Sequence, residues 1–328
     1  MPINTKTMCI KIKEKFNSPQ KQLTSYVHST SSDSSNLFDT HNYSKDLLIE
    51  IDQSEHDFHV TPSSLEPHCP IFTLAIGVLD ILVLIVLYIV QEGTIITSET
   101  WIKMGCKYVP CMKPLYSKAE QEIYNVGLKS QCQSFLFPYQ FFRFITPIFL
   151  HGDITHLLSN LVYQALVGTL LEGKYGKKTL AICYILFGFS ANVMSSLCNP
   201  KSISVGASGA VYGLLFFCII DNTLRVFTIT NIQDKIIQFL ITLLVIPYFI
   251  LSIFLDVDSS GHVDHAAHIG GAVMGTLVAI FLCDMPAFIT TRIPHGEKRI
   301  QLIALTSIIG YFIITLLIFY LFIPVHLK

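Results

Sequence analysis

A serine and two histidines stand at the starts of three apolar segments, where reactive groups are unusual. Ser208 lies between glycines in SISVGASGAVYG, residues 202–213, at the head of one apolar run. His156 begins another such run, and His268 lies near the start of a third. A serine hydroxyl within hydrogen-bond reach of an imidazole is a nucleophile with its general base, the arrangement used in acyl transfer. The question is therefore whether the three segments bring these side chains together.

Further residues are suited to the tetrahedral intermediate of such a reaction. His156 and Asn160 are four residues apart and so lie on one face of a helix. With the backbone N–H of Ser208, they are the candidate donors to an oxyanion. Asp264 precedes His268 by four residues and is expected to be a solvated helix cap nearer the surface. The sequence therefore predicts a Ser-His dyad rather than a triad.

The composition indicates a membrane protein. The chain has 328 residues, of which 51% are hydrophobic and 14% charged, and its mean hydropathy is +0.53. A net charge of −1 gives no global basic field, so nucleic acid is not expected as a partner. No apolar run precedes Ile71, so we expect no cleavable signal peptide and a first span that itself directs membrane insertion.

Seven apolar segments approach the length needed to cross a bilayer, whose core of about 30 Å takes roughly 20 helical residues. These segments are 71–90, 155–171, 179–198, 206–220, 236–255, 265–283 and 300–323. They predict an all-α polytopic membrane domain over residues 71–323. Residues 1–70 are polar without apolar periodicity and are expected to be a disordered cytosolic tail.

The distribution of basic residues predicts the orientation. Short loops on the side of the N-terminal tail carry most of the Lys and Arg residues between spans, which assigns that side to the cytosol. The long loop 91–154 and the C-terminus then face the lumen or the extracellular space, in the secretory pathway or plasma membrane. Cys106, Cys111, Cys132 and Cys198 would face that oxidising compartment. Four cysteines allow three pairings, and one or more can stay free.

The polar groups of the second, fourth and sixth spans lie at a similar predicted depth. These spans all run from the lumen to the cytosol. The run from Ser208 to Ile220 has 13 residues, about 20 Å of helix, which leaves the hydroxyl roughly 10 Å below the lumenal surface. The same arithmetic puts His156 and His268 at a comparable level. Because polar groups at this depth must be buried in protein or lie in water, a pocket open to the lumen is predicted.

Small residues predict that the fourth and sixth spans approach closely. The two small-xxx-small pairs are Gly209 with Gly213 and Gly271 with Gly275. His268 shares a face with the second pair, so its imidazole should point at the helix of Ser208. Tyr212 is one turn after Ser208 and is placed to pack against that imidazole.

Taken in order along the chain, these motifs resemble those of the rhomboid family of intramembrane serine proteases. The matching residues are His156-x-x-x-Asn160, Gly206-x-Ser208-Gly209, Ala267-His268 and Gly271-x-x-x-Gly275, with Phe142-Arg143 where the family usually has Trp-Arg, and Glu172 with Gly176 near the end of the second span. The resemblance covers about residues 71–285. It implies a six-helix core bundle plus a C-terminal seventh helix, as in the secretase-type branch.

The resemblance implies a role for each matching residue. Ser208 would be the nucleophile and His268 its base, with His156 and Asn160 stabilising the oxyanion. The implied supporting residues are Gly206, Gly209, Tyr212, Gly271, Gly275, Arg143 and Glu172. The implied reaction is hydrolysis of a peptide bond in or beside the transmembrane helix of a single-pass membrane protein, and neither a cofactor nor a metal is expected.

Other interpretations are open on the residues alone. A serine between glycines is often a packing residue, and membrane histidines can be structural or handle protons. A metal site built from His262, Asp264, His265 and His268 is conceivable, although no H-E-x-x-H motif is present. The competing functions are a transporter, for which no internal repeat is found, and a catalytically silent client-binding or trafficking factor. The oligomeric state is not predicted.

Overall fold

The computed structural model describes residues 69–91, 95–114, 139–233 and 263–325, apart from residue 293, together with a few isolated residues between these ranges. Leu65–Lys328 forms one compact unit of the chain. Most of the predicted tail, 1–70, and nearly all of the fifth predicted span, 236–255, lie outside the described residues.

The described ranges are helical, with one isolated antiparallel bridge. The helices are α1 (Ile71–Gln91), α2 (Ser98–Lys103), α3 (Ile154–Cys198), α4 (Ser208–Thr228), α5 (His265–Leu282), α6 (Ala287–Thr290) and α7 (Gly296–Phe322), with 3-10 helices at Val109–Cys111, Phe141–Phe144 and Thr146–Phe149. Five of them, α1, α3, α4, α5 and α7, are long and apolar enough to cross a membrane. The prediction of an all-α polytopic membrane protein is confirmed.

Helix α3 contains two of the predicted spans. Its 45 residues would extend about 68 Å, more than twice the thickness of a hydrocarbon core. Gly176 interrupts it with φ 80° and ψ 157°, a left-handed conformation that glycine adopts readily. We call the part before this kink α3a and the part after it α3b. The prediction of a loop between residues 171 and 179 is therefore wrong, because the helix continues on both sides of Gly176.

Helix α4 continues to Thr228, beyond the predicted end at residue 220. Its extra turns carry Asp221, whose carboxylate forms an ion pair with Lys174 at the end of α3a. Tyr175 donates a hydrogen bond to the same carboxylate at 2.8 Å. Because Asp221 is paired and only 3% exposed, its charge does not end the helix as the sequence pattern suggested.

Helices α4 and α5 touch through their glycines. A Cβ atom added to Gly271 would lie 1.9 Å from the carbonyl oxygen of Gly209, and one added to Gly275 would lie 2.1 Å from that of Gly213. The two small-xxx-small pairs therefore face each other with backbone against backbone. Helix α5 also contacts α3 and α7, so it lies at the centre of the bundle.

Glu172, at the end of α3a, caps the first membrane helix. Its carboxylate accepts hydrogen bonds from the backbone N–H groups of Phe72 and Thr73, each at 2.9 Å, and from the Thr73 hydroxyl at 2.8 Å. The first N–H groups of a helix have no partner within the helix and favour a negative charge. Glu172 therefore stabilises the contact between α1 and α3a.

Candidate active site

Ser208 is the first residue of α4, directly after a segment held in a defined conformation. Gly206 has φ +133°, which residues with a side chain rarely adopt. Its N–H donates to the carbonyl of Pro147 at 2.9 Å. Two residues earlier, Ser204 pairs with Lys107 through backbone hydrogen bonds of 3.1 and 3.2 Å. The chain thus enters α4 from a fixed turn, which sets the position of the serine hydroxyl.

His268 lies in the first turn of α5 with its imidazole against Ser208. The distance from His268 Nε2 to Ser208 Oγ is 3.0 Å, within hydrogen-bond range. The Tyr212 ring stacks on the imidazole at a centroid distance of 4.0 Å and an interplanar angle of 8°. His268 is 8% exposed. The stack fixes the plane of the ring, and the glycine contact between α4 and α5 fixes its distance from the serine.

Asp264 is the N-cap of α5 and is not solvated as expected. Its carboxylate accepts a hydrogen bond from the N–H of Ala267 at 3.2 Å, one from Asn199 Nδ2 at 3.0 Å and one from the Ser195 hydroxyl. Both oxygens are therefore engaged by the start of α5 and the end of α3b. This carboxylate is therefore committed to the helix cap and to the end of α3b.

The charge state of Asp264 follows from its surroundings. Burial acts to raise the pKa of this carboxyl, but the hydrogen bond from Ser195 and the positive charge of Lys107 outweigh burial and lower the pKa overall. The negative charge on Asp264 interacts favourably with the partial positive charge at the N-terminus of α5.

His156 faces the space in front of Ser208. A Cβ atom on Gly206 would lie 3.0 Å from His156 Nε2 and 3.6 Å from Ser208 Oγ, so this nitrogen and the hydroxyl border the same small volume. The backbone N–H of Gly152 donates to His156 Nδ1 at 3.4 Å. In a neutral imidazole one nitrogen accepts and the other donates. This contact assigns the proton to Nε2, which is then a donor towards the volume beside Ser208.

Asn160 lies one turn further along α3a and is 4% exposed. Its Nδ2 donates to the carbonyl of His156 at 3.1 Å. The amide nitrogen carries a second N–H, which is not used in that bond. His151 is also buried, with its ring 5.5 Å from that of His156.

The start of α4 supplies backbone donors as well. The first intrahelical hydrogen bond of this turn runs from the N–H of Val211 to the carbonyl of Ala207 at 3.0 Å. The N–H groups of Ser208 and Gly209 precede it, where a helix leaves its N–H groups without internal acceptors and carries partial positive charge. A negative oxygen next to Ser208 would meet these groups.

Arg143 connects parts of the long loop between α1 and α3. It is 2% exposed, and its Nε donates to Gln140 Oε1 at 2.6 Å while Nη1 donates to the carbonyl of Cys106 at 2.8 Å. Gln140 in turn donates through Nε2 to the carbonyl of Cys132 at 3.1 Å. Arg143 therefore joins separate parts of the loop, as a supporting rather than a reacting group.

Lys107 is a site-forming residue that the sequence did not indicate. Its Nζ donates to the carbonyls of Asn199 and Ser202, each at 2.8 Å, and the side chain is fully buried. Burial lowers the pKa of Lys107 to about 8, while the charge of Asp264 acts in the opposite direction. The lysine ties the loop to the segment that leads into Ser208. A single lysine in a polar loop carries no pattern that would have revealed this role.

The structure selects one disulfide from the pairings that the sequence left open. Cys111 and Cys132 are bonded, closing a loop over a sequence separation of 21. Cys106 is free and buried, and Cys198 is free and exposed.

The alternative metal-ligand cluster is not assembled among the residues that the structure describes, where no group of three His, Cys, Asp or Glu side chains is close enough to hold an ion. His262 lies outside the described residues. His265 is exposed, with its ring 6.2 Å from that of His268.

Comparison with known proteins identifies the domain that contains this site. Residues 138–285 match the family model of the rhomboid domain. This range includes the candidate residues from Arg143 to Gly275 and leaves α1 and α7 outside.

Individual relatives agree with the family match. The chain is 33% identical over 150 residues to RHOMBOID-like protein 1 of Arabidopsis thaliana, covering 46% of this chain and 36% of that protein. It is 31% identical over 175 residues to RHOMBOID-like protein 2 of the same plant, covering 53% and 52%. It is 30% identical over 143 residues to Rhomboid-like protease 3 of Toxoplasma gondii, covering 44% and 52%. The chain thus spans about a third to a half of the length of these curated relatives.

Proposed function

Because the chain belongs to the rhomboid family, we propose that it is an intramembrane serine endopeptidase with a dyad of Ser208 and His268. The observation that carries this proposal is the 3.0 Å distance between Ser208 Oγ and His268 Nε2. The hydroxyl also stands at the N-terminus of a helix and beside the His156 imidazole. A serine that serves only in packing would need neither of the two imidazoles nor the helix N-terminus beside its hydroxyl.

The first half of the proposed reaction forms an acyl-enzyme. Ser208 Oγ attacks the carbonyl carbon of the scissile bond, and its proton passes to Nε2 of neutral His268. The carbonyl oxygen becomes an oxyanion, which His156 Nε2–H and the backbone N–H of Ser208 would stabilise, with the amide of Asn160 as a further donor. His268 then donates its proton to the leaving amine nitrogen, so the new N-terminus departs and an ester to Ser208 remains.

Hydrolysis of the ester completes the cycle. Water donates a proton to His268 Nε2 as its oxygen attacks the ester carbonyl, and the same donors stabilise the second oxyanion. The proton returns to Ser208 Oγ as the acyl group leaves as a carboxylic acid. We infer that this water reaches the dyad from the lumenal side, where the polar ends of α3a, α4 and α5 meet.

The proposed substrates are single-pass membrane proteins. A peptide bond within a helix is shielded by its own backbone hydrogen bonds, so the cleaved segment must become extended before the serine can attack it. We therefore expect helix-weakening and small residues near the lumenal end of the substrate helix.

The orientation belongs to the same proposal. We infer a cytosolic N-terminus and a lumenal or extracellular C-terminus, from the basic residues of the short loops. The bond between Cys111 and Cys132 supports this assignment, because disulfides form and persist in oxidising compartments.

A serine-directed fluorophosphonate probe tests the proposed nucleophile. We expect the parent protein to take up the probe and Ser208→Ala to take up none, because the probe bonds to an activated hydroxyl. With a model single-pass substrate in the same membrane, cleavage should fall by at least about 10²-fold in Ser208→Ala and in His268→Ala. Lys201→Ala, which changes an exposed residue of the preceding loop, is the matched control and should cleave like the parent.

Three results would contradict parts of the proposal. Equal labelling of the parent and Ser208→Ala would show that Ser208 is not the nucleophile. Unchanged cleavage by His268→Ala would show that His268 is not the base. A parent that takes no label and cleaves nothing, yet still binds single-pass clients, would favour the catalytically silent factor.

A further inference from the structure

Helix α7 lies outside the matched domain, yet hydrogen bonds through Ser190 of α3b link it to the helix that carries His268. Tyr311 Oη lies 2.9 Å from Ser190 Oγ on α3b, and Ser190 Oγ lies 2.7 Å from the carbonyl oxygen of Gly270. A serine hydroxyl has one hydrogen, and the carbonyl can only accept. Ser190 Oγ is the donor in both contacts, so its hydrogen is shared between the Gly270 carbonyl and the Tyr311 hydroxyl oxygen. This chain of two hydrogen bonds joins α7 to a backbone atom two residues from the imidazole.

The contact at Gly270 determines how α5 is rotated about its own axis. A Cβ atom on Gly270 would lie 2.7 Å from the carbonyl oxygen of Ser190 and 2.6 Å from Met194 Cβ, so α5 rests directly on α3b. A rotation of about 10° would move an atom roughly 6 Å from the helix axis by about 1 Å. The distance of 3.0 Å between Nε2 and Oγ would not survive such a displacement, and reaction rates are sensitive to shifts of that size.

The other end of α7 is packed against the lumenal loop. The ring of Phe319 lies 5.3 Å from that of Phe144 in an edge-on contact. Phe144 belongs to the same 3-10 helix as Arg143, and its carbonyl accepts a hydrogen bond from Asn192 Nδ2 of α3b at 3.1 Å. Phe319 and Phe144 are both fully buried. The C-terminal part of α7 thus supports the loop that Arg143 organises.

Lys113 closes this contact by capping α7. Its Nζ donates to the carbonyls of Phe319 and Ile323, at the end of the helix. The last carbonyls of a helix lack internal donors and carry partial negative charge, so an ammonium group there is favourable. Lys113 is 2% exposed and lies two residues after Cys111 of the disulfide. Burial lowers its pKa, and the two carbonyls are the acceptors of its ammonium group.

We propose that α7 is a positioning element for the dyad, acting through Tyr311 on α5 and through Lys113 and Phe319 on the lumenal loop. This inference rests on the proposed protease function, and none of these three residues is among the reacting groups. It assigns a role to a helix whose sequence has no chemical motif. In this arrangement α7 holds the histidine helix and the loop in one relative position, and the loop is tied through Lys107 to the segment before Ser208.

The test compares two variants with matched controls in the full-length protein, using cleavage of a model single-pass substrate in proteoliposomes. We expect Tyr311→Phe and Lys113→Met each to lower kcat on the order of 10-fold while KM changes little, because the dyad is displaced and the substrate surface is kept. Lys113→Arg keeps the charge and the donors and should retain parental kcat. Tyr320→Phe removes a hydroxyl from the same helix that makes no hydrogen bond with any described residue, and it should behave like the parent.

Thermal unfolding and fluorophosphonate labelling separate positioning from stability. A positioning role predicts slower labelling of Ser208 in Tyr311→Phe at temperatures well below its unfolding transition. Parental kcat in both variants, or a lowered Tm with unchanged kcat, would overturn the inference. The same is true if Lys113→Arg is as impaired as Lys113→Met. An active parent with unaffected variants would disprove only this inference, whereas a parent whose Ser208 takes no label would disprove the proposed function and this inference with it.

Discussion

Ser208 is half-buried at the start of a helix that is long and apolar enough to cross a membrane. It is the first residue of α4, so its hydroxyl lies beside N–H groups that have no acceptor within the helix. The glycine before it adopts a left-handed φ of +133°, which leaves room for the edge of His156. The free N–H groups and the glycine turn occur together because a tight turn leads directly into the N-terminus of α4. Together they favour a negatively charged oxygen beside the Ser208 hydroxyl.

Asp264 provides a prediction about pH. Its pKa in the folded protein is below the ordinary 3.8, so its contribution to stability is present above pH 3.8 and is lost as the pH falls through the folded pKa. We expect the Tm of the parent to exceed that of Asp264→Asn by a constant amount between pH 7 and pH 5. The difference should shrink below about pH 4. Thermal unfolding of both proteins in detergent, repeated across this pH range, measures the difference in Tm.

The control for this measurement is Asp284→Asn, which removes an exposed carboxylate after the end of α5. Its Tm should follow that of the parent at each pH. A gap between the parent and Asp264→Asn that stays the same down to pH 3 would show that the charge of Asp264 does not stabilise the fold.

At the scale of elements, the contact between α4 and α5 decides whether a dyad can exist. Leucine-sized side chains would hold two helix axes about 8 to 10 Å apart, whereas facing glycines allow the backbones to touch. The carbonyls of Gly209 and Gly213 occupy the space where a side chain on Gly271 or Gly275 would stand. The imidazole of His268 thus reaches the serine because the facing positions of α4 and α5 are glycines, which have no side chain to hold the helices apart.

A single methyl group should therefore be enough to separate these helices. In Gly271→Ala the added Cβ would lie 1.9 Å from the carbonyl oxygen of Gly209, and a backbone atom cannot rotate away. We expect labelling of Ser208 to fall by about 10-fold or more and the Tm to fall as well. Labelling rate and thermal unfolding of the purified protein are the measurements.

Gly310→Ala is the matched control on α7, because a Cβ at that position meets no atom within 4 Å. Alanine favours a helix over glycine by about 1 kcal/mol, so the Tm should be equal to or slightly above that of the parent. If Gly271→Ala labels as fast as Gly310→Ala, the close approach of α4 and α5 is not required for the dyad.

At the scale of the whole molecule, the long loop between α1 and α3 and helix α7 form a support around the core of α3, α4 and α5. The disulfide, Gln140 and Arg143 connect distant parts of the loop, while Lys107 and Lys113 attach it to the segment before α4 and to the end of α7. Each lysine is buried with backbone carbonyls as acceptors, so removing one would leave carbonyls without a donor.

Two exposed thiols test the orientation of the whole chain. Cys69 and Cys198 are both free and exposed, and the proposed topology puts them on opposite sides of the membrane. In sealed microsomal vesicles, whose cytosolic face is outward, a membrane-impermeant maleimide should label Cys69 and should label Cys198 only after detergent is added. A Cys9→Ser background removes the other thiol of the proposed cytosolic tail.

Cys69→Ser and Cys198→Ser variants assign the two signals to their residues. Labelling of Cys198 in intact vesicles, with protection of Cys69, would reverse the topology and place the dyad on the cytosolic side. Labelling of both thiols without detergent would mean that they share one face.

Amino-acid patterns alone were enough to predict the long apolar helices among the described residues and the glycine positions at which two of them meet. Apolar period, the four-residue spacing of His156 with Asn160 and the two pairs of glycines are local properties, because a helix repeats every 3.6 residues whatever surrounds it. From this spacing, facing glycines and an imidazole directed at the helix of Ser208 could be expected. The ends of helices were less accurate, since α4 is extended by pairing of Asp221 with a residue on another helix.

Tertiary structure alone decided the contacts that hold these helices in register. Lys113 meets α7 across 206 residues, and Lys107 meets the segment before Ser208 across 95. The choice of Cys132 as the partner of Cys111 is of the same kind. Loop residues have no period that indicates their partners, and their contacts exist only once the helices have been packed. For this reason the candidate site residues could be predicted from local spacing, whereas the residues that support them became visible only in the folded chain.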